Sequence, residues 1–360
     1  MVVARQVEVC KIITFALMRK AVIAFLYPSH YPVSGGSSMH GYFLARELSA
    51  LGYRLISFPR TPDGFSKCLP YRPWFVLWAI LTSDLVYLRI SPEGKSTRLL
   101  KWLKLLRKPH VVELNGPSDE LRVTKGYTLE QIEQMDRELA TSLTAARAVI
   151  TVSEVMQRWC KQYLQLEHVY VIENGGEQYD ARSLRPDASL MQQLDDFSNG
   201  GSQLILWSGN AYPWQGVDEI CKLIETASPD MRFVLVSDSV SAFEEVATRN
   251  NVLLLPTQSQ ENMRYLITQA HAGLALYGDF SWFRLGEMYN SSLKLYEYLA
   301  NGLWVVTNYP LFGSAQLYVG KEASDMIAWL NGKKEEFVSP GQPYRSWRQV
   351  ALETAAILEK

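Results

Sequence analysis

Short apolar runs alternate with amphipathic segments along most of the chain, and this alternation restricts the fold more than any other feature. Residues 21–27 (AVIAFLY) form an apolar run typical of a buried parallel strand. Residues 38–53 then carry apolar side chains at helical spacing, and Gly52 is placed to end that helix. Residues 54–58 (RLISF) are the next apolar run. A strand, a helix and a strand in this order predict a right-handed βαβ unit.

The alternation stops once and starts again, which predicts two domains. The 360 residues are too many for one ordinary core. We therefore predict an α/β fold of two tandem doubly wound, Rossmann-like domains that face a cleft. The predicted segments are an N-terminal extension (1–19), an N-terminal domain (20–182), an interdomain crossing (183–203), a C-terminal domain (204–342) and a final helix (343–360).

The final helix is predicted to return toward the N-terminal domain. Its apolar face is expected to consist of Leu352, Ala355, Ala356 and Leu358.

Composition excludes several classes of protein. A net charge of −1 argues against nonspecific nucleic-acid binding, which needs a basic excess. The four cysteines form no Cys-x-x-Cys motif and are interpreted as free thiols in a reducing cytosol. The five histidines lack the spacing of a zinc site. The apolar run 12–18 is too short to span a bilayer, so we expect a cytoplasmic protein.

Residues 290–302 (NSSLKLYEYLANG) place Lys294 and Glu297 on one face of a predicted helix. One interpretation is a solvated ion pair on the helix surface. Lysine ahead of glutamate, near the positive end of a helix, is a poor stabilising device. The other interpretation is an anion held at Ser291, Ser292 and Leu293 and neutralised by Lys294. Glu297 could then accept hydrogen bonds from ribose hydroxyls.

A second predicted helix start lies upstream, in residues 207–219 (WSGNAYPWQGVDE). A strand end is followed by a loop of small residues and by a helix that starts near Gly216. Loops of this kind leave backbone amides free for a diphosphate.

Taken together, these stretches resemble the retaining glycosyltransferases of the GT-B fold, in the large sequence family four (glycosyl transferases group 1). Residues 40–53 (HGYFLARELSALGY), VVELNGPSDE, ITVSE and VIENGGE follow the same order as in that family. The likeness covers most of residues 20–350, and SSLKLYEYLANG is its most specific part. The resemblance implies a two-domain enzyme whose C-terminal domain binds a nucleotide sugar and whose N-terminal domain binds the acceptor. It also implies no metal or other cofactor, because lysine and helix-end amides neutralise the diphosphate.

The resemblance assigns the donor site residue by residue. Lys294 would contact the diphosphate, Glu297 the ribose, and Gly209 and Asn210 would border the phosphates. The remaining residues assigned to the donor are Gln215, Tyr289, Ser291, Ser292 and Leu293.

Three of the family's usual side chains differ here. Gln215 stands where many relatives have lysine or histidine. Tyr289 stands where a glutamate often contacts the sugar, and Asn115 where a histidine often does. Glu177 takes the acidic place in the altered NGGE stretch.

On the acceptor side, Gly35 and Gly36 would let the backbone approach the transferred sugar or would form an ordinary tight turn. Glu113 and Asn115 end a strand at the cleft. Arg89 also ends a strand there, and it either faces the cleft or pairs with Glu93 or Glu113. No catalytic base is assigned, because front-face transfer with a phosphate oxygen taking the acceptor proton is the mechanism commonly proposed for this family.

Residues 96–110 predict a helix with Arg98, Lys101, Lys104 and Lys108 along one stripe. Such a helix either lies on an anionic membrane or simply exposes a basic face to water. Residues 73–81 (PWFVLWAIL) either add an aromatic membrane contact or form a buried helix.

The sequence thus predicts a metal-independent, retaining hexosyltransferase. It would move a sugar from a nucleoside-diphosphate sugar to a saccharide or lipid-linked acceptor, in assembly of cell-surface polysaccharide or glycoconjugate. It would act in the cytoplasm, with peripheral contact at the inner face of the membrane as an option. The alternatives are a GT-B nucleotide-sugar epimerase and a catalytically inactive relative that serves as a binding or scaffold subunit.

Overall fold

The computed structural model describes residues 20–27, 36–58, 66–68, 72–92, 95–198, 203–308, 316–333 and 345–360. The predicted N-terminal extension, Gly35 and Glu93 lie outside the described residues. Cys160 and Cys221 are buried free thiols, as predicted for them. Within the described ranges, no helix combines the length and the hydropathy needed to cross a bilayer.

The N-terminal domain is built on a seven-stranded parallel sheet in the order β3-β2-β1-β4-β5-β6-β7. Its strands are β1 (Val22–Leu26), β2 (Arg54–Ser57), β3 (Ser66–Cys68), β4 (Leu85–Ile90), β5 (His110–Leu114), β6 (Ala148–Thr151) and β7 (Val169–Val171). Its helices are α1 (Gly36–Ala50), α2 (Pro73–Thr82), α3 (Lys95–Leu105), α4 (Glu120–Lys125), α5 (Leu129–Leu143) and α6 (Glu154–Tyr163). Among the strands of this domain, β3 was not predicted, because its three residues carry no apolar run.

The predicted crossing contains a helix, α7 (Ala188–Ser198). Leu190 and Leu194 are buried on its inner face. The sequence did not predict this helix, because Pro, Ser and Gly residues surround it. The chain just before α7 is tied to the C-terminal domain, because the Asp187 carboxylate accepts a hydrogen bond of 2.8 Å from the Asn262 side chain.

The C-terminal domain repeats the architecture with a six-stranded parallel sheet in the order β10-β9-β8-β11-β12-β13. Its strands are β8 (Leu204–Gly209), β9 (Arg232–Ser237), β10 (Val252–Leu255), β11 (Ala272–Ala275), β12 (Trp304–Thr307) and β13 (Leu317–Val319). Its helices are α8 (Val217–Thr226), α9 (Glu244–Ala247), α10 (Gln260–Gln269), α11 (Leu293–Ala300) and α12 (Ala323–Gly332).

Each sheet reverses its strand order once, between β1 and β4 and between β8 and β11. At such a switch point the connecting loops diverge to opposite faces and leave a crevice at the carboxyl ends of the strands, where ligands of open α/β sheets bind. The two sheets confirm the predicted doubly wound domains.

The last helix, α13 (Trp347–Leu358), packs against α1 of the N-terminal domain. The Trp347 ring stacks on the Phe43 ring, with 5.4 Å between centroids. Of the face predicted from the sequence, Ala355 and Leu358 are buried, but Leu352 and Ala356 are exposed. The prediction was wrong for those two because the buried side of the helix is the side that carries Trp347, and Leu352 and Ala356 do not lie on it.

A buried ion cluster joins the two domains beside the cleft. Arg284, on the loop between β11 and α11, reaches into the N-terminal domain. Its Nε donates to Asp119 Oδ1 at 2.8 Å and its Nη2 to Asp136 Oδ2 at 2.6 Å. Both carboxylates are almost completely buried, at 0% and 3% exposure. Buried charges of this kind are stable only when paired, so the cluster fixes the loop against the N-terminal domain.

Trp347→Ala is expected to lower the free energy of unfolding by about 3–5 kcal/mol, because it leaves a cavity between α13 and α1. The control is Leu352→Ala on the solvent side of the same helix, where a change of no more than about 0.5 kcal/mol is expected. Urea unfolding followed by circular dichroism measures both. Equal losses in the two variants would show that α13 is not docked through Trp347.

Candidate active site

The two domains enclose a cleft of about 580 Å³ at the carboxyl ends of both sheets. The N-terminal domain contributes the start of α1, the ends of β4 and β5, and the start of α4. The C-terminal domain contributes the end of β8, one face of α10 and the start of α11. Helix starts on both walls direct backbone N–H groups toward the cleft, which suits an anionic ligand.

Lys294 projects into this cleft from the first turn of α11. Ser292 caps the helix by accepting a hydrogen bond from the Leu295 amide at 3.3 Å. The Lys294 ammonium donates to Gln215 Oε1 at 2.9 Å and lies 4.8 Å from the centre of the Trp207 ring. Burial lowers the pKa of Lys294 to about 7, and no carboxylate of the described residues counteracts it. A desolvated cation without an anionic partner is poised to receive one.

Gly209 leaves the room that Lys294 needs. A Cβ atom at this position would lie 3.1 Å from the Lys294 nitrogen and 2.9 Å from the Trp207 ring. Gly216 adopts φ of +62°, a left-handed conformation that favours glycine, and so allows the loop to turn into α8. Asn210 lines the cleft in the same loop. The predicted diphosphate loop therefore lies next to Lys294, and Gln215 replaces a second cation by a neutral acceptor.

Glu297 lies one turn further along α11 and also lines the cleft. One of its oxygens accepts a hydrogen bond from the Tyr179 hydroxyl. Burial raises the pKa of Glu297 to about 7, although Tyr179 and the charge of Arg264 oppose the rise. The surface ion pair between Lys294 and Glu297, one of the two interpretations of the sequence, is not formed, because Lys294 bonds to Gln215 and Glu297 to Tyr179.

Arg264 is a cleft residue that the sequence did not indicate, because no motif surrounds it. It lies on α10 with its guanidinium 5.3 Å from the centre of the Tyr179 ring. Its Nε is buried and has no hydrogen-bond partner among the described residues. Arg264 therefore offers an unsatisfied donor near Glu297.

Glu113 is placed differently from its prediction. It ends β5, but it is fully buried beneath the cleft wall and does not line the cleft. Its oxygens accept from the Tyr87 hydroxyl at 2.5 Å and lie 3.2 Å from His40 Nε2 and 3.3 Å from Arg89 Nη1. Burial would raise the pKa of Glu113, but these partners outweigh it and lower the pKa to about 2. Glu113 is thus an ionised anchor for its neighbours.

The side chains that Glu113 holds do line the cleft. Arg89 pairs with Glu113, one of the two arrangements that the sequence left open, and still faces the cleft. His40, which sequence reasoning missed, approaches Asn174 Oδ1 with its Nδ1 at 2.5 Å. Burial lowers the pKa of His40, but Glu113 outweighs burial and the net shift is upward. Asn115 lines the same wall.

Tyr289 borders the cleft with a side chain that is otherwise fully buried. The ring is fully buried among Phe280, Trp282 and Phe283. The hydroxyl donates to Glu120 Oε1 at 2.5 Å, and Glu120 lines the cleft. Burial raises the pKa of Glu120, with Tyr289 and Arg89 opposing the rise. A carboxylate is therefore present beside position 289, but it comes from the opposite domain, which is why a motif search in the C-terminal half does not find it.

Two contacts join the N-terminal domain to the start of α11. A Cβ atom on Gly36 would lie 2.9 Å from Leu293 Cδ1, so glycine lets α1 start near α11 without a shift of the Leu293 side chain. The Ser291 hydroxyl accepts from the Asn174 amide at 3.0 Å, and its carbonyl accepts from Asn174 Nδ2 at 2.6 Å. Glu177, predicted in the acidic place, pairs with Arg46 at 2.7 Å instead of lining the cleft.

The described residues contain no group of His, Cys, Asp or Glu side chains arranged to hold a metal ion. Positive charge in the cleft comes instead from Lys294, Arg264 and Arg89. The acidic residues that line the cleft are Glu120, Asp238 and Glu297.

Comparison with known proteins shows which solved structures share this fold. No protein-family model and no curated protein sequence matches the chain. The chain is similar to the solved structure of Anabaena HepE in complex with UDP-glucose, with a TM-score of 0.63, 14% identity, and coverage of 94% of this chain and 99% of HepE. Sucrose-phosphate synthase from Thermosynechococcus elongatus gives a TM-score of 0.63, 13% identity, and coverage of 94% and 98%. A glycosyltransferase from Rickettsia africae gives 0.57, 14%, 95% and 94%. The predicted GT-B architecture is confirmed.

Glu113→Gln is expected to lower the free energy of unfolding by about 3–5 kcal/mol at neutral pH, because it strands the buried Arg89 and His40 charges. The folded pKa of about 2 lies below the ordinary value of 4.5. The stabilisation by Glu113 is therefore present above the ordinary value and is lost as the pH falls toward 2. The difference between wild type and variant should shrink over that interval.

Urea midpoints measured across a pH series test this expectation. Glu133→Gln, an exposed carboxylate on α5, is the control and should change stability by less than about 0.5 kcal/mol at every pH. A gap between wild type and Glu113→Gln that stays constant down to the lowest pH would contradict the assignment.

Proposed function

We propose that the chain is a glycosyltransferase of the family-four type that transfers a hexosyl group from a nucleoside-diphosphate sugar. The observation that carries the proposal is the Lys294 ammonium: desolvated, without a carboxylate partner, and placed at the start of α11 in an interdomain cleft. A leaving diphosphate develops negative charge as the sugar departs. Preorganised donors aimed at that charge accelerate such reactions most.

The donor lies along the C-terminal wall in this proposal. Its diphosphate contacts Lys294 and the amides that begin α11, and Gly209 gives it room beside β8. The ribose hydroxyls donate to Glu297, whose other partner is Tyr179. Arg264 supplies a donor from α10 toward the nucleotide. We propose a uridine nucleotide as the first candidate, because HepE, which shares the fold, is solved with UDP-glucose.

The transferred sugar faces the N-terminal wall, where Glu120, Asn115, Arg89 and His40 line the cleft. The bond from the anomeric carbon to the phosphate oxygen breaks, and a bond from the acceptor oxygen to that carbon forms on the same face. Because the new bond forms on the face that the phosphate leaves, the anomeric configuration is retained, and the acceptor proton passes to the departing phosphate oxygen. This route assigns no protein side chain as base.

The acceptor in this proposal is a saccharide or a lipid-linked saccharide, and the product belongs to cell-surface polysaccharide or glycoconjugate. The open side of the cleft toward the N-terminal domain is the place for such an acceptor. The reaction takes place in the cytoplasm.

A panel of nucleotide sugars, screened by thermal shift and then by donor hydrolysis, tests the proposal at once. Stabilisation by one nucleotide sugar together with its slow hydrolysis is expected. Stabilisation without any turnover, with or without candidate acceptors, would favour a binding subunit. Conversion to an epimeric nucleotide sugar would favour an epimerase.

Turnover is expected to survive chelation, because Lys294 and the amides at the start of α11 take the place of a cation at the diphosphate. Donor hydrolysis is measured with and without EDTA, before and after adding back Mg²⁺ or Mn²⁺. If EDTA abolished donor hydrolysis and either ion restored it, the reaction would depend on a metal. The donor site would then be tested separately, by nucleotide binding.

Lys294→Ala is expected to reduce turnover on the order of a hundred- to a thousandfold, because it removes one charge-stabilising donor. Lys294→Arg should restore only part of this rate, because a planar guanidinium does not reproduce the contacts of a compact ammonium. Glu297→Gln should weaken binding of uridine diphosphate even without a sugar. Lys222→Ala, an exposed lysine on α8, is the matched control and should leave rate and binding unchanged.

Proton exchange during binding separates the two residues. The pKa values of Lys294 and Glu297 are both about 7 in the free protein. Near pH 8.5, diphosphate binding recharges Lys294, so the protein takes up a proton. Near pH 6, hydrogen bonds to the Glu297 carboxylate favour its ionised form, so the protein releases one.

Calorimetry in buffers of different ionisation enthalpy measures this exchange. Proton uptake near pH 8.5 should disappear in Lys294→Ala and persist in Glu297→Gln. Proton release by the protein near pH 6 should disappear in Glu297→Gln and persist in Lys294→Ala. Protons exchanged by the nucleotide itself contribute equally in every variant. If both variants kept wild-type binding, rate and proton exchange, Lys294 and Glu297 would have a purely structural role.

A further inference from the structure

Helix α2 exposes an apolar face to solvent. Trp74 is 62% exposed, Leu77 47%, Trp78 39% and Leu81 61%. Their spacing places them on one side of the helix, while the other side is buried in the domain core. The helix contains no charged residue. The sequence left open whether residues 73–81 are buried, and the structure buries Val76, Ala79 and Ile80 among them.

Helix α3 continues this face. Trp102 is 59% exposed and Leu105 71%, whereas Leu100 and Leu103 are buried. Arg98 and Lys101 share the helix side of Trp102 and Leu105, at positions i, i+3, i+4 and i+7. If α3 only exposed a basic face to water, its tryptophan and all its leucines would be buried, whereas Trp102 and Leu105 are exposed.

The two helices are neighbours on one face of the first sheet. The connections β3–α2–β4 and β4–α3–β5 cross the sheet in the same direction, which places both helices on the same side. Their buried side chains belong to one core cluster. Lys108, just after α3, donates to the Ser83 carbonyl at the end of α2. We name the combined surface of Trp74, Leu77, Trp78, Leu81, Trp102 and Leu105 the tryptophan face.

Positive charge borders the tryptophan face along α3. Residues 95–108 contain six lysines and arginines and no acidic residue, although the whole chain has a net charge of −1. Scattered exposed apolar residues are ordinary, but a contiguous group bordered by charge marks an interaction surface. Tryptophan prefers the boundary between water and lipid, and cations prefer anionic headgroups.

We propose that the tryptophan face docks on an anionic lipid surface, with the indoles at the headgroup level and the α3 cations at lipid phosphates. A second copy of the chain fits this surface less well, because a two-fold interface would bring the two basic borders together. The docking itself does not depend on the proposed activity.

Docking in this way would place the cleft at the membrane. Both α2 and α3 begin at the carboxyl edge of the sheet, and Trp74 lies in the first turn of α2. Arg89 and Asn115 line the cleft from that same edge. Provided that the proposed glycosyl transfer holds, an acceptor anchored in the bilayer would therefore meet the N-terminal wall of the cleft.

Vesicle flotation without any nucleotide tests the docking. Wild type is expected to float with vesicles of phosphatidylcholine and phosphatidylglycerol, at about 7:3, and not with phosphatidylcholine alone. Trp74→Ser combined with Trp102→Ser should reduce partitioning roughly tenfold. Arg98→Glu combined with Lys101→Glu should reduce it by a similar factor and remove most of its salt dependence.

Matched controls are Leu352→Ser on α13 and Lys222→Glu on α8, both exposed and distant from the tryptophan face. They should float like wild type, and all variants should keep the wild-type melting temperature. Absence of flotation in wild type, or equal flotation of all variants, would overturn the proposal. Self-association by light scattering that the tryptophan variants abolish would assign the face to a second copy instead. None of these results depends on turnover.

Discussion

The burial of Arg284 between Asp119 and Asp136 is the constraint on which the rest of the cleft depends. Two carboxylates without access to water would be too costly to leave unpaired, so the loop that carries Arg284 must dock on the N-terminal domain. That loop leads directly into α11. The pairing therefore sets the position from which Lys294 and Glu297 face the opposite wall.

The two walls of the cleft treat charge differently. Arg89 and His40, on the N-terminal wall, both contact the ionised Glu113 buried behind them, so part of their positive charge is neutralised within that wall. On the C-terminal wall, the described residues give Lys294 only the neutral Gln215 as a hydrogen-bond acceptor. Desolvated positive charge is consequently concentrated at the start of α11. This asymmetry gives a bound anion a preferred position and orientation within the cleft.

Two of the three positions that differ from the resembled family, Gln215 and Tyr289, have structural roles here. Gln215 accepts a hydrogen bond from Lys294, and Tyr289 donates one to Glu120, which lines the cleft. Each of these two side chains therefore positions a polar group of the cleft, which a comparison of single positions does not reveal.

The sequence by itself determined the local elements, because apolar periodicity, terminating glycines and the capping Ser292 depend only on near neighbours. It also indicated Lys294, Glu297 and the Gly209 loop, which lie at the carboxyl ends of strands where parallel sheets bind ligands. Three features required the tertiary structure: the roles of Glu113 and Glu120, the presence of Arg264 in the cleft, and the exposure of Trp74 and Trp102. These depend on side chains far apart in the chain, and burial and electrostatic pairing between such residues are properties of the packed molecule that periodicity and motif spacing do not encode.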